Sequence, residues 1–461
     1  MTIQEAASGL RARRFSAVEL ATAALERVRR NDATLGTFIT VMAEAAMERA
    51  READREFARG EDRGPLHGVP LALKDLFATR DAPTTAGARV CDSFFTGTDA
   101  TVVERLRAAG VVILGKLNMH ELAYGITSAN PHFGAVRNPW NVLHSPGGSS
   151  GGSGAAVAAR MVPLAMGTDT GGSIRIPASF CGTVGLKPTY GRVSRYGVVP
   201  LGYSQDHVGP LTGSVRDAAL ALNAIAGYDR RDASSSRRAV PDFVPGADCS
   251  IRGLRVGVAE RFFFEDLDAG VEAAVRGAIA RAEALGAEVR PVRLPDMAAL
   301  NAVARIVLLA EASAAAEAYP QDRGLYGADV RALLDQGRLV PAADYINAQR
   351  LRRRMRTEFN RVWDEVDCLM TPATAIAAPR IGGATVRVGG REEDVRLAAT
   401  RLSRGMDALG LPALAMPCGL NREGLPLGMQ IVGPAFEEAR VLRVGAALED
   451  AGVGIPVCPI E

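Results

Sequence analysis

The chain has almost no lysine. Of its 461 residues, 54 are lysine or arginine, but the lysines are only Lys74, Lys116 and Lys187. On a solvated surface the two cations are nearly exchangeable, so a lysine that persists in this chain marks a position where arginine does not serve. Arginine stays protonated, whereas burial can make a lysine neutral enough to act as a base. The distribution therefore predicts that the chemistry lies between residues 74 and 187.

Other common site signals are missing. The six cysteines contain no CxxC pair, which predicts reduced thiols and neither a disulfide framework nor a zinc site. The five histidines show no HExxH or similar spacing, so we expect no metal and no cofactor. A net charge of +2 gives no strong field for nucleic acid or a membrane surface. We therefore expect a small-molecule substrate and no nucleic-acid or membrane partner.

Targeting segments are not apparent either. The N-terminus has no apolar core of the kind found in a signal peptide. The most apolar stretch, residues 306–316, is interrupted by Glu311 and preceded by Arg305, so it falls short of a membrane span. We expect a cytoplasmic protein.

What is present is an alternation of helix and strand signals. Ser16 and Glu19 form a capping-box pattern that predicts a helix to about Arg30. Thr101 and Glu104 repeat this pattern, with Gly110 just past the helix end. Further helices are predicted at residues 155–160 and 269–285. Short apolar runs predict strands at Val111–Leu114, Val162–Met166, Leu254–Val258, Glu288–Val292, Ala413–Pro417 and Met429–Val432.

This alternation predicts an α/β fold with a mostly parallel sheet covered by helices on both faces. The stretch from about residue 329 to 362 has few strand signals and is predicted to be helical. Residues 229–241, rich in serine and arginine, are either a linker or a surface loop within one domain.

Three segments carry the chemistry, and the first contains His67 to Asp75. Lys74 ends an apolar run there, and desolvation at such a place favours a neutral amine. The alternative is a structural ion pair between Lys74 and Asp75.

The second segment is the glycine- and serine-rich loop at residues 145–154. It lacks the lysine of a phosphate-binding loop. Residues 148–152 match the G-x-S-x-G pattern of a nucleophile elbow, which would make Ser150 the nucleophile and would need His207 downstream.

The third segment, residues 167–177, contains a Gly-Gly-Ser turn after a predicted strand. Its backbone N–H groups from Thr170 to Ser173 could converge on an oxyanion, although a tight turn with a surface serine is the simpler interpretation. Taken together, the segments supply a serine nucleophile, a lysine base and a second serine to relay a proton.

These segments resemble the amidase signature family. The matching segments are Gly68–Asp75, Gly147–Ser153, Gly167–Pro177, Gly115–Met119, Asn138–Asn141, Gly185–Arg192, Gly410–Pro412 and Gly428–Gly433. The resemblance implies one α/β/α domain over residues 1–461 around a large mixed sheet, with the signature region at about 67–215.

The resemblance also implies the site residues. Lys74 matches the catalytic lysine, Ser149 the bridging serine on a cis peptide, and Ser173 the nucleophile. The oxyanion hole matches the backbone N–H groups of Thr170, Gly171, Gly172 and Ser173. Lys116 and Lys187 lie in family segments, and we expect structural roles for them.

Three functions are compatible with the resemblance. The first is a free-standing amidase that cleaves small or aromatic amides through an acyl-enzyme, with aryl esters and carbamates as further substrates; it could be a homodimer. The second is the A subunit of a glutamyl-tRNA amidotransferase, and the third is a non-catalytic binding module.

Two departures favour the first function. Ala332 and Leu333 stand where the amidotransferase subunit carries an arginine pair, and Thr400 stands near its glutamine-binding acid. Substrate-pocket walls are expected from the helical region at about 300–365. Residues near the signature segments give four candidate substrate contacts: Met119, Tyr124, Ala129 and Asn130.

Overall fold

The computed structural model describes residues 1–91 and 97–460. Its central element is an eleven-stranded sheet. The strands of this sheet are β1 (Phe38–Val41), β2 (Pro70–Lys74), β3 (Val112–Leu117), β6 (Leu164–Asp169), β7 (Val184–Lys187), β8 (His207–Thr212), β9 (Arg255–Val258), β10 (Glu288–Pro291), β11 (Cys368–Pro372), β14 (Ala413–Leu420) and β15 (Pro426–Val432). Their order across the sheet is β1-β3-β2-β6-β8-β7-β14-β15-β11-β9-β10.

Two small two-stranded sheets lie apart from it. They consist of β4 (Ala129–Asn130) with β5 (Gly134–Ala135) and β12 (Thr385–Val388) with β13 (Arg391–Asp394).

Helices surround the central sheet. The α-helices are α1 (Ile3–Arg11), α2 (Ala17–Leu35), α3 (Ala43–Ala58), α4 (Thr101–Ala108), α5 (Gly151–Ala158), α6 (Arg175–Cys181), α7 (Val215–Ile225), α8 (Glu260–Phe263), α9 (Ala269–Ala284), α10 (Met297–Ala316), α11 (Ala328–Arg338), α12 (Ala342–Phe359), α13 (Val362–Glu365), α14 (Val395–Thr400), α15 (Arg404–Leu409) and α16 (Glu438–Asp450). Short 3₁₀ turns occur at Glu121–Ala123 and Arg323–Leu325.

The sheet is covered on both faces. In β2, Leu71 and Leu73 belong to one hydrophobic core, whereas Ala72 between them belongs to another. Successive side chains of a strand point to opposite faces, so a strand with buried apolar side chains on both faces requires a layer of helices on each side. The predicted α/β class with two covered faces is confirmed.

The prediction of a mostly parallel sheet is wrong. Antiparallel pairings outnumber parallel ones, and the sheet is mixed, as the family resemblance implies. The reason is visible at β14 and β15, which a short turn joins as an antiparallel hairpin. Parallel strands need a long crossover connection, and the chain around Asn421 is too short to provide one.

Helix boundaries follow the capping signals only in part. Ser16 accepts from the Glu19 N–H in a complete capping box, but α2 continues to Leu35, where Gly36 in the left-handed conformation ends it. The second capping box is wrong: α4 begins after Ala100, and the Thr101 hydroxyl donates to Asp229 instead.

The glycine-rich loop is shorter than predicted, since α5 begins at Gly151 and not at residue 155. The predicted unit of β9, α9 and β10 is confirmed as two parallel neighbouring strands joined by a helix. Residues 229–241 form no helix or strand, and Asp229 accepts bonds from Thr101 and Ser194 that hold this segment to the fold as a surface loop.

The predicted helical region comprises α10 to α13. Within the described residues, α10 is the one helix with the length and apolar composition to cross a membrane. Core helices of folded proteins can have the same length and apolar composition. In this structure α10 packs against α11, α12 and α15. Residues of α10, α11 and α15 line one cavity together with Thr170, which directly follows β6.

Candidate active site

Lys74 is the last residue of β2 and is fully buried. Its Nζ donates to Ser149 Oγ at 2.7 Å and to Thr168 Oγ1 at 2.8 Å. Burial lowers the pKa of Lys74 to about 7, although the charges of Asp169 and Asp206 oppose the shift. The amine is therefore neutral in a large fraction of molecules near pH 7 and can accept a proton there.

Ser149 reaches Lys74 from the loop before α5. The peptide bond between Gly148 and Ser149 is cis, as the family resemblance implies. The loop is held closely by its surroundings: the Ser149 carbonyl accepts from the His120 N–H at 3.1 Å, and a side chain at Gly152 would meet the Asn118 carbonyl oxygen at 2.3 Å. Close backbone approach explains why the segment is built from glycine.

Ser173 lies in the turn between β6 and α6, next to Ser149 in space. The Ser150 N–H donates to the Ser173 carbonyl at 3.3 Å, so the two serine-bearing segments are hydrogen-bonded to each other. Gly172 has a φ of +123°, and a side chain there would meet Ile176 at 2.7 Å. Only glycine fits this turn without strain.

The predicted oxyanion hole is only partly available in this structure. The Gly172 N–H donates to Asp169 Oδ1 at 2.5 Å. Within residues 1–91 and 97–460, the N–H groups of Thr170, Gly171 and Ser173 have no hydrogen-bond acceptor. Three of the four predicted donors are thus free to face an oxyanion.

A buried ion network fixes this turn. Arg175 is fully buried and donates to Asp169 at 2.9 Å and to Asp407 at 2.6 Å. Burial raises the pKa of Asp407, and the charge of Asp169 adds to the rise. Burial opposes ionisation of Asp169 as well, but Arg175 outweighs it and holds the pKa of Asp169 below its ordinary value. A guanidinium shared by two carboxylates therefore holds the Gly-Gly-Ser turn in place.

The other two lysines have structural contacts. Lys116 forms the buried ion pair with Asp75, at 2.9 Å, that the alternative interpretation assigned to Lys74. Lys187 donates to the carbonyl oxygens of Leu411 and Pro188. Burial lowers the pKa of Lys187 to about 8.

The nucleophile-elbow interpretation finds no support in the geometry. The fully buried Ser150 hydroxyl donates to the Thr168 carbonyl at 3.2 Å and accepts from the Thr168 N–H at 3.3 Å. His207 instead lies 3.5 Å from Asp407, and burial lowers its pKa.

A cavity of about 230 Å³ opens at Ser173. Its lining residues are Ala123, Tyr124, Gly125, Ile126, Thr170, Gly171, Ser173, Leu201, Arg305, Leu308, Leu309, Leu333, Asp394, Arg396, Leu397, Thr400 and Arg404. Arg305, Leu308, Leu309 and Leu333 come from α10 and α11, so the helical region supplies one wall.

Of the four candidate substrate contacts, the structure brings only Tyr124 to this cavity. Met119 is fully buried in the hydrophobic cluster that also contains Tyr124, but it does not line the cavity. The buried Asn130 side chain donates to the carbonyl oxygens of Gly87 and Met119, and Ala129 is exposed in a short strand. None of these three residues lines the cavity. The sequence analysis did not identify the arginines of the cavity, because they lie in no motif.

In the part of the chain that the structure describes, no cluster of histidine, cysteine, aspartate or glutamate side chains could hold a metal ion. The polar groups that the structure brings together here are the Ser173 and Ser149 hydroxyls, the buried Lys74 amine and backbone N–H groups.

The chain is similar to known enzymes over nearly its whole length. The family model described as Amidase matches residues 19–442. The chain is 43% identical to the A subunit of the glutamyl-tRNA(Gln) amidotransferase from Anaeromyxobacter sp. (strain K), over 99% of this chain and 97% of the relative.

Two solved structures extend the comparison. One belongs to "an unexpected vestigial protein complex" that "reveals the evolutionary origins of an s-triazine catabolic enzyme"; it has a TM-score of 0.94 and 38% identity, covering 98% of this chain and 99% of that one. The other is the peptide amidase of Stenotrophomonas maltophilia, with a TM-score of 0.87 and 32% identity over 100% of this chain and 99% of that one. The chain belongs to the amidase signature family of enzymes.

Proposed function

We propose that the protein hydrolyses a small amide through an acyl-enzyme on Ser173. The observation that carries the proposal is the 2.7 Å contact between the buried Lys74 amine, whose pKa lies at about 7, and Ser149 Oγ. A hydroxyl held against a neutral amine in a dry site can pass a proton on, which a serine nucleophile requires. We further propose that the protein acts in the cytoplasm.

In the first half-reaction, Ser173 Oγ attacks the amide carbonyl while its proton moves to Ser149 and the proton of Ser149 moves to Lys74. The N–H groups of Thr170, Gly171 and Ser173 stabilise the oxyanion. The C–N bond then breaks, and the protonated relay returns its proton to the leaving amine or ammonia.

In the second half-reaction, water attacks the Ser173 ester by the same relay. The acid leaves and the three side chains regain their starting states. Aryl esters and carbamates also have a carbonyl carbon bonded to a leaving group, so they are expected as further substrates.

A second candidate is a glutaminase that works as the A subunit of an amidotransferase. The 43% identity to such a protein favours it, and on sequence relationship it is better supported than the free-standing amidase. The cavity favours a different substrate, since Leu333 and Thr400 line it at the places where the arginine pair and the glutamine-binding acid are expected.

The test is hydrolysis by the purified chain, with and without amidotransferase partner subunits. Ammonia release from glutamine is compared with hydrolysis of simple amides, a nitroanilide, a nitrophenyl ester and an aryl carbamate. The proposal expects simple amides to be cleaved by the chain alone and this activity to be lost in Ser173→Ala. Glutaminase activity that appears only with partner subunits would establish the second candidate.

A further inference from the structure

Positive charge gathers in the cavity at Ser173. Arg305, Arg396 and Arg404 line it, and Asp394 is the one carboxylate among its lining residues in the described chain. Asp394 is already engaged, because it accepts from the Arg396 and Leu397 N–H groups at the start of α14 and lies 3.6 Å from the Arg396 side chain. The cavity as a whole thus has unmatched cations.

Arg404 is the cavity arginine that lies beside the Gly171 turn. It is half-buried at the start of α15, and its Nη2 donates to Thr400 Oγ1 at 2.5 Å. A side chain at Gly171 would stand 3.8 Å from Arg404 Nε, which places this guanidinium beside the predicted oxyanion turn.

Arg404 also lacks an ion-pair partner. No carboxylate in residues 1–91 or 97–460 forms an ion pair with it. Burial lowers the pKa of Arg404 to about 10 and the charge of Arg305 pushes it in the same direction, although the charge of Asp407 opposes the shift. A poorly solvated cation among other cations is stabilised when an anion enters its site.

Tyr124 supplies a second, independent signal. Tyr124 lines the same cavity, and its buried hydroxyl has no hydrogen-bond partner among the described residues. Burial raises the pKa of Tyr124, although the charges of Arg305, Arg404 and Arg396 act to lower it. A buried donor left unpaired in a ligand cavity indicates a polar ligand atom.

The positive charge does not come from the arginine pair of the related subunits. Ala332 and Leu333 stand at that place, whereas these arginines lie on α10, α14 and α15. Thr400, which replaces the acid expected to hold an α-ammonium group, is instead the neutral hydrogen-bond partner of Arg404. The cavity therefore retains a site for an anion but has lost a free site for a cation.

We propose that the substrate is the monoamide of a short dicarboxylic acid, with Arg404 and Tyr124 binding its free carboxylate and no ammonium group required. This inference rests on the proposed amide hydrolysis at Ser173. Arg305 and Arg396, which line the same cavity, add to the attraction for an anion. We infer a short carbon chain between the two carbonyl groups of the substrate because Arg404 lies beside Gly171. The cavity volume of about 230 Å³, which is below that of cavities for drug-sized ligands, supports the same conclusion.

The test uses matched sets of three amides. Succinamate, butanamide and asparagine share a carboxamide and differ in a carboxylate and an ammonium group; glutaramate, pentanamide and glutamine form the longer set. We expect kcat/KM for the monoamide acid to exceed that of both partners in at least one set by about 10-fold or more, as for loss of a hydrogen bond to a charged group.

Three variants connect the preference to the residues. Arg404→Met should lower kcat/KM for the preferred monoamide acid by about 10- to 100-fold more than it lowers kcat/KM for the neutral amide of the same set. Tyr124→Phe should act in the same direction more weakly. Arg350→Met, at an exposed position of α12, is the control and should change neither substrate.

Two outcomes would overturn the inference. One is a wild-type enzyme that prefers the neutral amides or the amino-acid amides in both sets. The other is an Arg404→Met enzyme that keeps the preference for the monoamide acid. If Arg404→Met does not fold, Arg404→Lys and Tyr124→Phe carry the same comparison.

Binding separates this inference from the proposed function. Calorimetric titration of Ser173→Ala with succinamate and glutaramate measures recognition without turnover, and at least one should bind more tightly than its neutral partner. If Ser173 reacts with a serine-directed phosphonate but only neutral amides are cleaved, the inference fails and the function stands. If Ser173 does not react and no amide is cleaved, the function fails.

Discussion

The Nζ atom of Lys74 and the Oγ atom of Ser149 lie 2.7 Å apart, and both side chains are fully excluded from solvent. The contact joins the end of β2 to the loop before α5, which are 75 residues apart in the chain. Because burial stabilises the neutral form of an amine, this geometry favours proton transfer over ion pairing.

The first prediction concerns the kind of cation at position 74. Lys74→Arg retains the positive charge but cannot become neutral, so we expect activity to fall by about the same several orders of magnitude as in Lys74→Ala. Steady-state hydrolysis of the best amide measures this. An active Lys74→Arg enzyme would contradict the base role and support an anchoring role.

The second prediction is the pH dependence of the rate. Since the pKa of Lys74 is lowered to about 7, kcat/KM should rise with pH and level off above roughly pH 8. The apparent pKa belongs to the coupled Ser173, Ser149 and Lys74 unit. A rate that is flat from about pH 6 to pH 9 in stopped-flow or steady-state assays would contradict this.

The same shift predicts a stability trend. Between about pH 7 and the ordinary lysine value near 10.4, the unfolded chain binds a proton at Lys74 that the folded chain does not, so stability contributed here rises with pH. Urea unfolding of the wild type and of Lys74→Met from about pH 7 to 10 isolates the effect. The difference between them should shift in favour of the wild type as pH rises.

The fourth prediction concerns the buried ion network. Arg175→Met leaves Asp169 and Asp407 buried without their cation and should lower the free energy of unfolding by about 3–5 kcal/mol. Arg276→Met, which removes an exposed pair with Glu260, is the matched control and should cost less than about 1 kcal/mol. Equal effects in urea unfolding would show that the network does not hold the turn.

Local sequence patterns correctly predicted those elements whose structure is determined by residues close to them in the sequence. Ser16 and Glu19 cap α2 as expected, and β9, α9 and β10 form the predicted unit. The predicted capping role of Thr101 was wrong because its hydroxyl donates a hydrogen bond to Asp229, 128 residues away. A tertiary contact of this kind leaves no local pattern in the sequence.

The same distinction between local signals and tertiary contacts applies to the candidate site. Lys74 and Ser149 lie in motifs, so the sequence predicted that they come together. Asp407 could not be predicted in this way, because its contact with Arg175 spans 232 residues. The cavity arginines come from separate helices and lie in no motif. Met119 packs in a hydrophobic cluster and Asn130 donates to the Met119 carbonyl, and neither residue lines the cavity.

The most direct measurement of the central claim is to locate the residue that a serine-directed phosphonate labels in the wild-type protein, by mass spectrometry of its peptides. The account predicts modification of Ser173, loss of labelling in Ser173→Ala, and slow labelling in Lys74→Arg. Modification of Ser150, or labelling of Ser173 at an unchanged rate in Lys74→Arg, would contradict it.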